Sequence, residues 1–224
     1  MPVIVFATSK GGVAKTTGAI LAGTEFDKRG IPVTYMDLDR SNYSLTRWRH
    51  TAPLPDTIKF IDGVGEANVI QKIREHDKDK HIVIVDLEGL VSRLTTRAIS
   101  QADLVIVPMS SSIDAKVGAD ALKMIMEEEE LLRRKIKHSA VLTQTNANPL
   151  FMSKEEKRVR ATLDANAVHI LEPSLVKRAA FSALFYHGGS LHSMTAKDEN
   201  GLEEARANSA GFADAILRRL HDGN

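Results

Sequence analysis

Ser9-Lys10-Gly11-Gly12-Val13-Ala14-Lys15-Thr16-Thr17, reached directly from the apolar run Val3–Ala7, is the stretch whose reading decides the fold. A short β-branched run ending in paired glycines and opening a helical pattern at Lys15 is a strand–turn–helix unit. Such a turn points backbone N–H groups at an anion, and the following helix N-terminus adds partial positive charge. Lys15 is placed to reach the β- and γ-phosphates of a nucleotide, and the Thr16 hydroxyl to ligate Mg²⁺. Gly11, Gly12, Val13, Ala14, Lys15, Thr16 and Thr17 are thus the expected nucleotide cradle, with ATP and Mg²⁺ as the expected cofactors. The strict pattern G-x-x-x-x-G-K-[ST] is not met. Ser9 and Ala14 stand at its two glycine positions, leaving Lys10-Gly-Gly-x-x-Lys15-Thr. Where residue 14 needs a positive φ, alanine costs about 1 kcal/mol relative to glycine.

Further along the chain, short apolar runs alternate with helical patterns. Val3–Ala7, Pro32–Met36, Ile82–Val85, Leu104–Pro108, Ala140–Thr143 and Val168–Leu171 read as strands, most of them apolar throughout. That composition marks strands covered on both faces in a parallel sheet. Helical patterns run over Lys15–Arg29, Glu66–Glu75, Asp114–Lys135, Ser153–Asn166 and Leu202–Leu220. The alternation predicts an α/β fold: a doubly wound, mostly parallel sheet with helices on both faces, as in P-loop NTPases. Residues 1–224 are expected to form a single P-loop ATPase domain, since 224 residues suit one large core.

In such a sheet ligands bind at the carboxyl ends of strands, and carboxylates stand there twice more. Asp37 and Asp39 close the second strand at i, i+2, a spacing that lets both point into one site. His81-Ile-Val-Ile-Val85-Asp86 is a hydrophobic strand ending in an acid, the Walker B pattern, with Asp86 reaching Mg²⁺ mostly through water. Thr16, Asp37 and Asp86 are the expected metal-site residues. The bland reading of Asp37 and Asp39 is a helix N-cap pair, and Glu88 reads as merely exposed.

Lys10-Gly-Gly-x-x-Lys15-Thr resembles the deviant Walker A motif of the ParA/MinD ATPases, usually written KGGxGKT. The segment Ser44-Leu45-Thr46-x-Trp48 looks like the small plasmid-partition ParA proteins of the ParF type and the VirC-type relatives. This resemblance implies that Lys10 crosses a dimer interface to the partner's nucleotide. It implies that Asp39 is needed for hydrolysis, with Asp37 supporting the switch and the metal shell. Lys10, Lys15 and Asp39 are then the expected catalytic residues. Arg40-Ser41 replaces the family's Pro-Gln after Asp39. Asn146 stands near where the family reads adenine, though Asn is also a good turn residue. Ser110–Ser112 matches an interface loop. The implied activity is a slow, partner-stimulated ATPase that forms an ATP-sandwich homodimer and binds DNA nonspecifically. Its cargo would be a plasmid or other large body, reached through a ParB-like adaptor.

Composition narrows the field. With no cysteine, disulfides, thiolate zinc sites and Fe–S clusters are excluded. Thirty Lys+Arg against 29 Asp+Glu leave a net charge of +1, so any nucleic-acid contact must come from a local patch. Candidates are Lys154, Lys157, Arg158 and Arg160 opening one helix, Lys177 and Arg178 before Phe181, and Arg218 and Arg219 closing the last helix. Glu129–Arg133 and Glu130–Arg134 read as i, i+4 pairs on a solvated helix. His187 and His192 read as non-metal.

No apolar run reaches a membrane span, and no signal peptide is legible, so a cytoplasmic, nucleoid-associated protein without membrane contact is expected. The first strand starts at residue 3, which leaves no helix-turn-helix ahead of it and argues against autorepression through an operator. Three other readings compete, one of them a degenerate, non-hydrolysing scaffold suggested by Ala14 and by Arg40-Ser41. A MinD-like membrane-cycling regulator would need a more basic last helix than Leu202–Leu220 offers. A P-loop metabolic ligase of the dethiobiotin type would lack Lys10.

Overall fold

The structure, a computed structural model, describes residues 2–8, 11–76, 81–88, 92–110 and 112–222, the side chains at 112–117 and 149 excepted. Seven strands form one sheet: β1 (Val3–Phe6), β2 (Val33–Leu38), β3 (Ile58–Phe60), β4 (Ile82–Leu87), β5 (Leu104–Met109), β6 (His138–Thr145) and β7 (Leu175–Val176). Their order is β3-β2-β4-β1-β5-β6-β7, and every pair is parallel. The helices are α1 (Lys15–Lys28), α2 (Ser44–Thr51), α3 (Val69–His76), α4 (Arg93–Ile99), α5 (Ser112–Leu132), α6 (Lys154–Ala165), α7 (Ala179–His187) and α8 (Leu202–His221).

Alternation along the strands divides the core in two. Ile4 and Phe6 on β1 and Tyr35 on β2 face α1, α2, α7 and α8. Val3 and Val5 on β1 and Met36 on β2 face α3, α4, α5 and α6. With both faces covered, β1, β4 and β5 have no solvated side, which is why these strands read as unbroken apolar runs. Gly23 lets α1 lie close on the sheet: a Cβ there would stand 1.9 Å from Tyr35 Oη, whose hydroxyl donates to the Ala19 carbonyl at 3.2 Å.

The expected elements need several corrections. Val168–Leu171 is not a strand. Its backbone pairs with β6 through an isolated bridge from Ile170 to Ala140, and Pro173, without an N–H, cannot extend that pairing. The last strand is instead Leu175–Val176. The expected helix Glu66–Glu75 begins at Val69, because Gly65 and Asn68 first form a turn in which the Asn68 side chain accepts from the Gly65 N–H at 2.7 Å. β3, α2, α4 and α7 were not legible as elements. The expected Glu129–Arg133 and Glu130–Arg134 pairs do not form. Helix α5 ends at Leu132, Arg133 turns left-handed (φ 51°), and Arg134 bonds the Ser100 carbonyl at 3.0 Å. Glu129 instead accepts from the Ile136 N–H (2.8 Å) and Lys135 Nζ (2.9 Å). Burial pushes its carboxyl upward, but these bonds prevail and hold it below the ordinary value.

Candidate functional site

The sheet order brings the site together. β1 lies between β4 and β5, and β2 lies beyond β4. The turn after β1 therefore sits where the strand order reverses, the place such sheets leave a crevice. Register sets Asp37 on β2 beside Asp86 on β4, and Asp86 beside Phe6 on β1. The acids read separately along the chain thus arrive at one strand end.

Ala14 is left-handed, with φ 58° and ψ 29°. The strain expected for alanine at that position is present, and it opens α1. Ala14, the N-cap residue, has no side-chain group to cap this helix, and the first turn carries no acid, so the N–H groups there are suited to an anion. Gly12, at φ +80°, has open space where a Cβ would stand. The turn is pinned from β6: the Thr143 hydroxyl donates to the Val13 carbonyl (3.1 Å), and Gln144 Nε2 donates to the Gly12 carbonyl (2.7 Å). Sequence reasoning missed both clamps; their only signal was two polar residues ending an apolar strand.

Lys15 and Thr16 converge on Asp86. Lys15 Nζ bonds Asp86 Oδ1, and the Thr16 hydroxyl donates to Asp86 Oδ2 at 2.6 Å. Asp86 is fully buried and Lys15 nearly so. Burial pushes the Asp86 carboxyl above its ordinary value; Lys15 and Thr16 pull it down, and the charge of Asp37 pushes it up. Asp39 Oδ2 stands 3.8 Å from Lys15 Nζ, so the lysine faces two carboxylates. A cation, a hydroxyl and two acids at an uncapped helix N-terminus are a donor set that fits a polyphosphate carrying a hard divalent cation.

Asp37 stands differently. Its Oδ1 accepts from the Asp39 N–H (3.1 Å), and its Oδ2 from both the Thr46 N–H (2.8 Å) and the Thr46 hydroxyl (2.7 Å). It performs the N-cap duty for α2 that Tyr43, left-handed and without a side-chain cap bond, does not. The helix-cap reading thus describes Asp37, and a metal reaching this carboxylate would have to displace these bonds. Asp39 accepts from the Asn42 N–H at 3.0 Å. The Ser41 hydroxyl donates to Glu88, which is exposed, and ties the loop after β2 to the end of β4. Trp48, fully buried on α2, donates to the Gly189 carbonyl at 3.0 Å. Lys10 lies outside the described residues, as does residue 111 of the Ser110–Ser112 segment.

Beside Thr17 and Gln144 a cleft of about 690 Å³ opens between α2 and α7, with Arg47, Lys177, Arg178 and Tyr186 on its walls. Arg178 Nε is buried without a partner among the described residues. Asn146 is exposed, and its Oδ1 accepts from the Asn148 N–H (2.9 Å), so its oxygen braces a turn.

The candidate DNA residues separate. Lys154, Lys157, Arg158, Lys177 and Arg218 are exposed. Arg160 is turned inward, bonded to Glu156 (3.1 Å), Glu172 and Ser174 (2.8 Å), which withdraws it from any phosphate. Arg219 Nε donates to the Ser139 hydroxyl at 3.3 Å. On α8, Leu202, Phe212 and Ile216 are buried in the core. No described helix is long and apolar enough to cross a membrane. His192 is held by Glu25 at 2.7 Å.

The model of the VirC1 protein family matches residues 1–207. The protein ParA of Rhizobium radiobacter is 47% identical over 221 residues, 98% of each chain. Among solved structures, McdA from Cyanothece aligns in its apo form with a TM-score of 0.79 at 16% identity, over 96% of this chain and 99% of the other. An ATP complex of a McdA variant aligns at 0.76 and 17%, over 97% and 96%. A chain of the MinC:MinD cell division complex from Aquifex aeolicus aligns at 0.72 and 15%, over 97% and 96%. At such identities these structures speak for the P-loop NTPase fold alone.

Proposed function

We propose, from the premise that this chain belongs to the VirC1 protein family and is related to ParA, that it is a nucleotide-switched ATPase that loads onto DNA. Residues 1–224 act as one ATPase domain. The observation that carries this reading is the buried meeting of Lys15, Thr16 and Asp86 at an uncapped helix N-terminus. Without nucleotide these groups satisfy one another. On binding ATP, Lys15 exchanges Asp86 for the β- and γ-phosphates, and the Thr16 hydroxyl oxygen would hold the metal. Asp86, freed of the lysine, would help hold the metal. A magnesium ion held there would supply neutralisation of the charge that develops on the transferring phosphoryl group. Asp39, next to Lys15, orients the attacking water, and Asp37 positions Asp39 through its backbone N–H.

The cycle is a switch. Lys10 contacts the nucleotide of a second copy, so two subunits close around two nucleotides and assembly follows nucleotide state. The closed dimer binds DNA without sequence preference through exposed cations, and an adaptor protein of the ParB kind stimulates slow hydrolysis and release. The cargo is a plasmid, a chromosome region or another large assembly, in the cytoplasm at the nucleoid.

The test is binding to random-sequence duplex DNA without nucleotide, with ADP, with ATP and with a slowly hydrolysed ATP analogue, at two salt concentrations. Tight, salt-sensitive binding confined to ATP and the analogue is expected. Intact nucleotide binding with no DNA binding in any state would overturn the DNA-loading function, and absent nucleotide binding would overturn the whole reading.

A further inference from the structure

The turn between β6 and α6 carries an apolar tip. In the 3-10 turn Pro149–Phe151, Leu150 is 89% exposed and Phe151 69%. The tip is braced by local bonds. The Asn148 side chain accepts from the Leu150 N–H (3.0 Å), the Asn148 carbonyl accepts from the Phe151 N–H (3.0 Å), and Asn146 holds the Asn148 N–H. A braced projection loses little conformational freedom when it docks.

Cations follow it on α6. Ser153 caps α6 by accepting from the Glu156 N–H at 3.0 Å, and the helix then sets Lys154, Lys157 and Arg158 on one stripe by their i, i+3, i+4 spacing. The opposite side of α6 buries Val159 and Leu163, and Glu156 is engaged by Arg160. The stripe spans about 6 Å of helix axis, about the rise of two base steps along the duplex axis. Lys177, from the loop after β7, lines the same cleft as Phe151 and Ser153.

We propose that this surface is a duplex-DNA contact in which Lys154, Lys157, Arg158 and Lys177 hold phosphates while the Leu150–Phe151 tip enters a groove as an apolar wedge between base steps. It rests on the DNA-loading reading and adds where the duplex sits and that the duplex is deformed. Apolar side chains inserted between base steps unstack them and kink the helix. Charge complementarity selects a polyanion, and the small apolar area of the tip favours DNA over an anionic lipid surface. Even a whole myristoyl chain gives only marginal membrane binding, and two side chains bury less. A wedge makes no base-specific hydrogen bond, yet it favours sites rich in the easily unstacked TA and CA/TG steps over stiff A-tracts.

The experiment uses the full chain with the slowly hydrolysed ATP analogue. Duplexes carry 2-aminopurine to report unstacking and end-placed dyes to report bending. Phe151→Ala should weaken binding about tenfold, abolish the 2-aminopurine signal and leave the salt slope unchanged. Lys157→Ala with Arg158→Ala should lower the slope of log K against log salt by about two. Both sites are exposed, so an unchanged Tm is expected and confirms the fold; Phe151→Ser, with the same readouts, stands in if Phe151→Ala fails that check. A Phe151→Ala protein that binds, unstacks and bends like its parent overturns the wedge and leaves DNA loading standing. A parent that binds DNA in no nucleotide state overturns the underlying reading, and this proposal with it. Binding to phosphatidylglycerol vesicles that Phe151→Ala removes, without a DNA effect, assigns the tip to lipid and also overturns the proposal.

Discussion

Replacing Lys15 by alanine tests the site before any nucleotide is added. Asp86 is fully buried, and its partners are Lys15 Nζ and the Thr16 hydroxyl at 2.6 Å. Removing one member of a buried pair strands the other charge and typically costs about 3–5 kcal/mol. Thr16 remains as a donor here, so the expected loss at neutral pH is toward the lower end, about 3 kcal/mol. The defect should depend on pH in a definite direction. Burial already raises the Asp86 carboxyl, with Lys15 opposing, and losing Lys15 raises it further. A carboxyl higher in the folded than in the unfolded state stabilises the fold fully below the unfolded value, about 3.9. That contribution is lost as pH rises through the folded value. The Lys15→Ala defect should therefore shrink on acidification. Adding Asp86→Asn removes the stranded charge and should restore part of the loss, a coupling of about 1–3 kcal/mol. Urea unfolding followed by the fluorescence of Trp48, the single tryptophan and fully buried, measures each variant. A defect below about 1 kcal/mol, independent of pH and additive with Asp86→Asn, would refute the coupled-pair account. The experiment also shows whether lost nucleotide binding in Lys15→Ala reflects a lost contact or a weakened fold.

Four further outcomes are expected. Ala14→Gly relieves the left-handed alanine and should stabilise by about 0.5–1 kcal/mol, raising Tm by about 1–4 °C; a lower Tm would mean that the turn is not strained there. Asp37→Ala uncaps α2 at a cost of about 1–2 kcal/mol, and hydrogen exchange should quicken across residues 44–51. Protection unchanged in that segment would contradict the capping role. Asp39→Ala should accumulate the ATP-bound dimer, visible by gel filtration with ATP, whereas normal turnover would remove Asp39 from its assigned role. Lys10→Ala should keep much of the nucleotide affinity and lose ATP-dependent dimerisation; a variant that still dimerises with ATP sinks the sandwich arrangement.

The strands most legible in the sequence were those whose residues are buried on both faces. β1, β4 and β5 are uninterrupted apolar runs, and no neighbour is needed to recognise them. β3 escaped notice because its three residues, Ile58, Lys59 and Phe60, form an edge strand with one side open to solvent. α2 escaped because its cap is not local: Asp37 on β2 satisfies its first turn from outside the helix. Arg160 shows the converse error. Its spacing with Lys154, Lys157 and Arg158 suggests one basic cluster, but Glu156 on the same helix and Glu172 beyond its end engage it instead.

Chemistry carried by contiguous residues was determined by the sequence itself. The glycine turn with its two lysines, the acid ending an apolar strand, the absence of cysteine and the strand–helix alternation each follow from neighbours along the chain. They suffice for a doubly wound sheet with a phosphate-binding turn. The tertiary structure decided what depends on partners distant in sequence. It alone placed Lys15 on Asp86, 71 residues away, pinned Gly12 and Val13 from β6, and made Asp37 a cap. Hydrogen bonds and ion pairs act over a few ångströms, so a side chain's role is set by what the fold brings within reach of it, and that order is spatial before it is sequential.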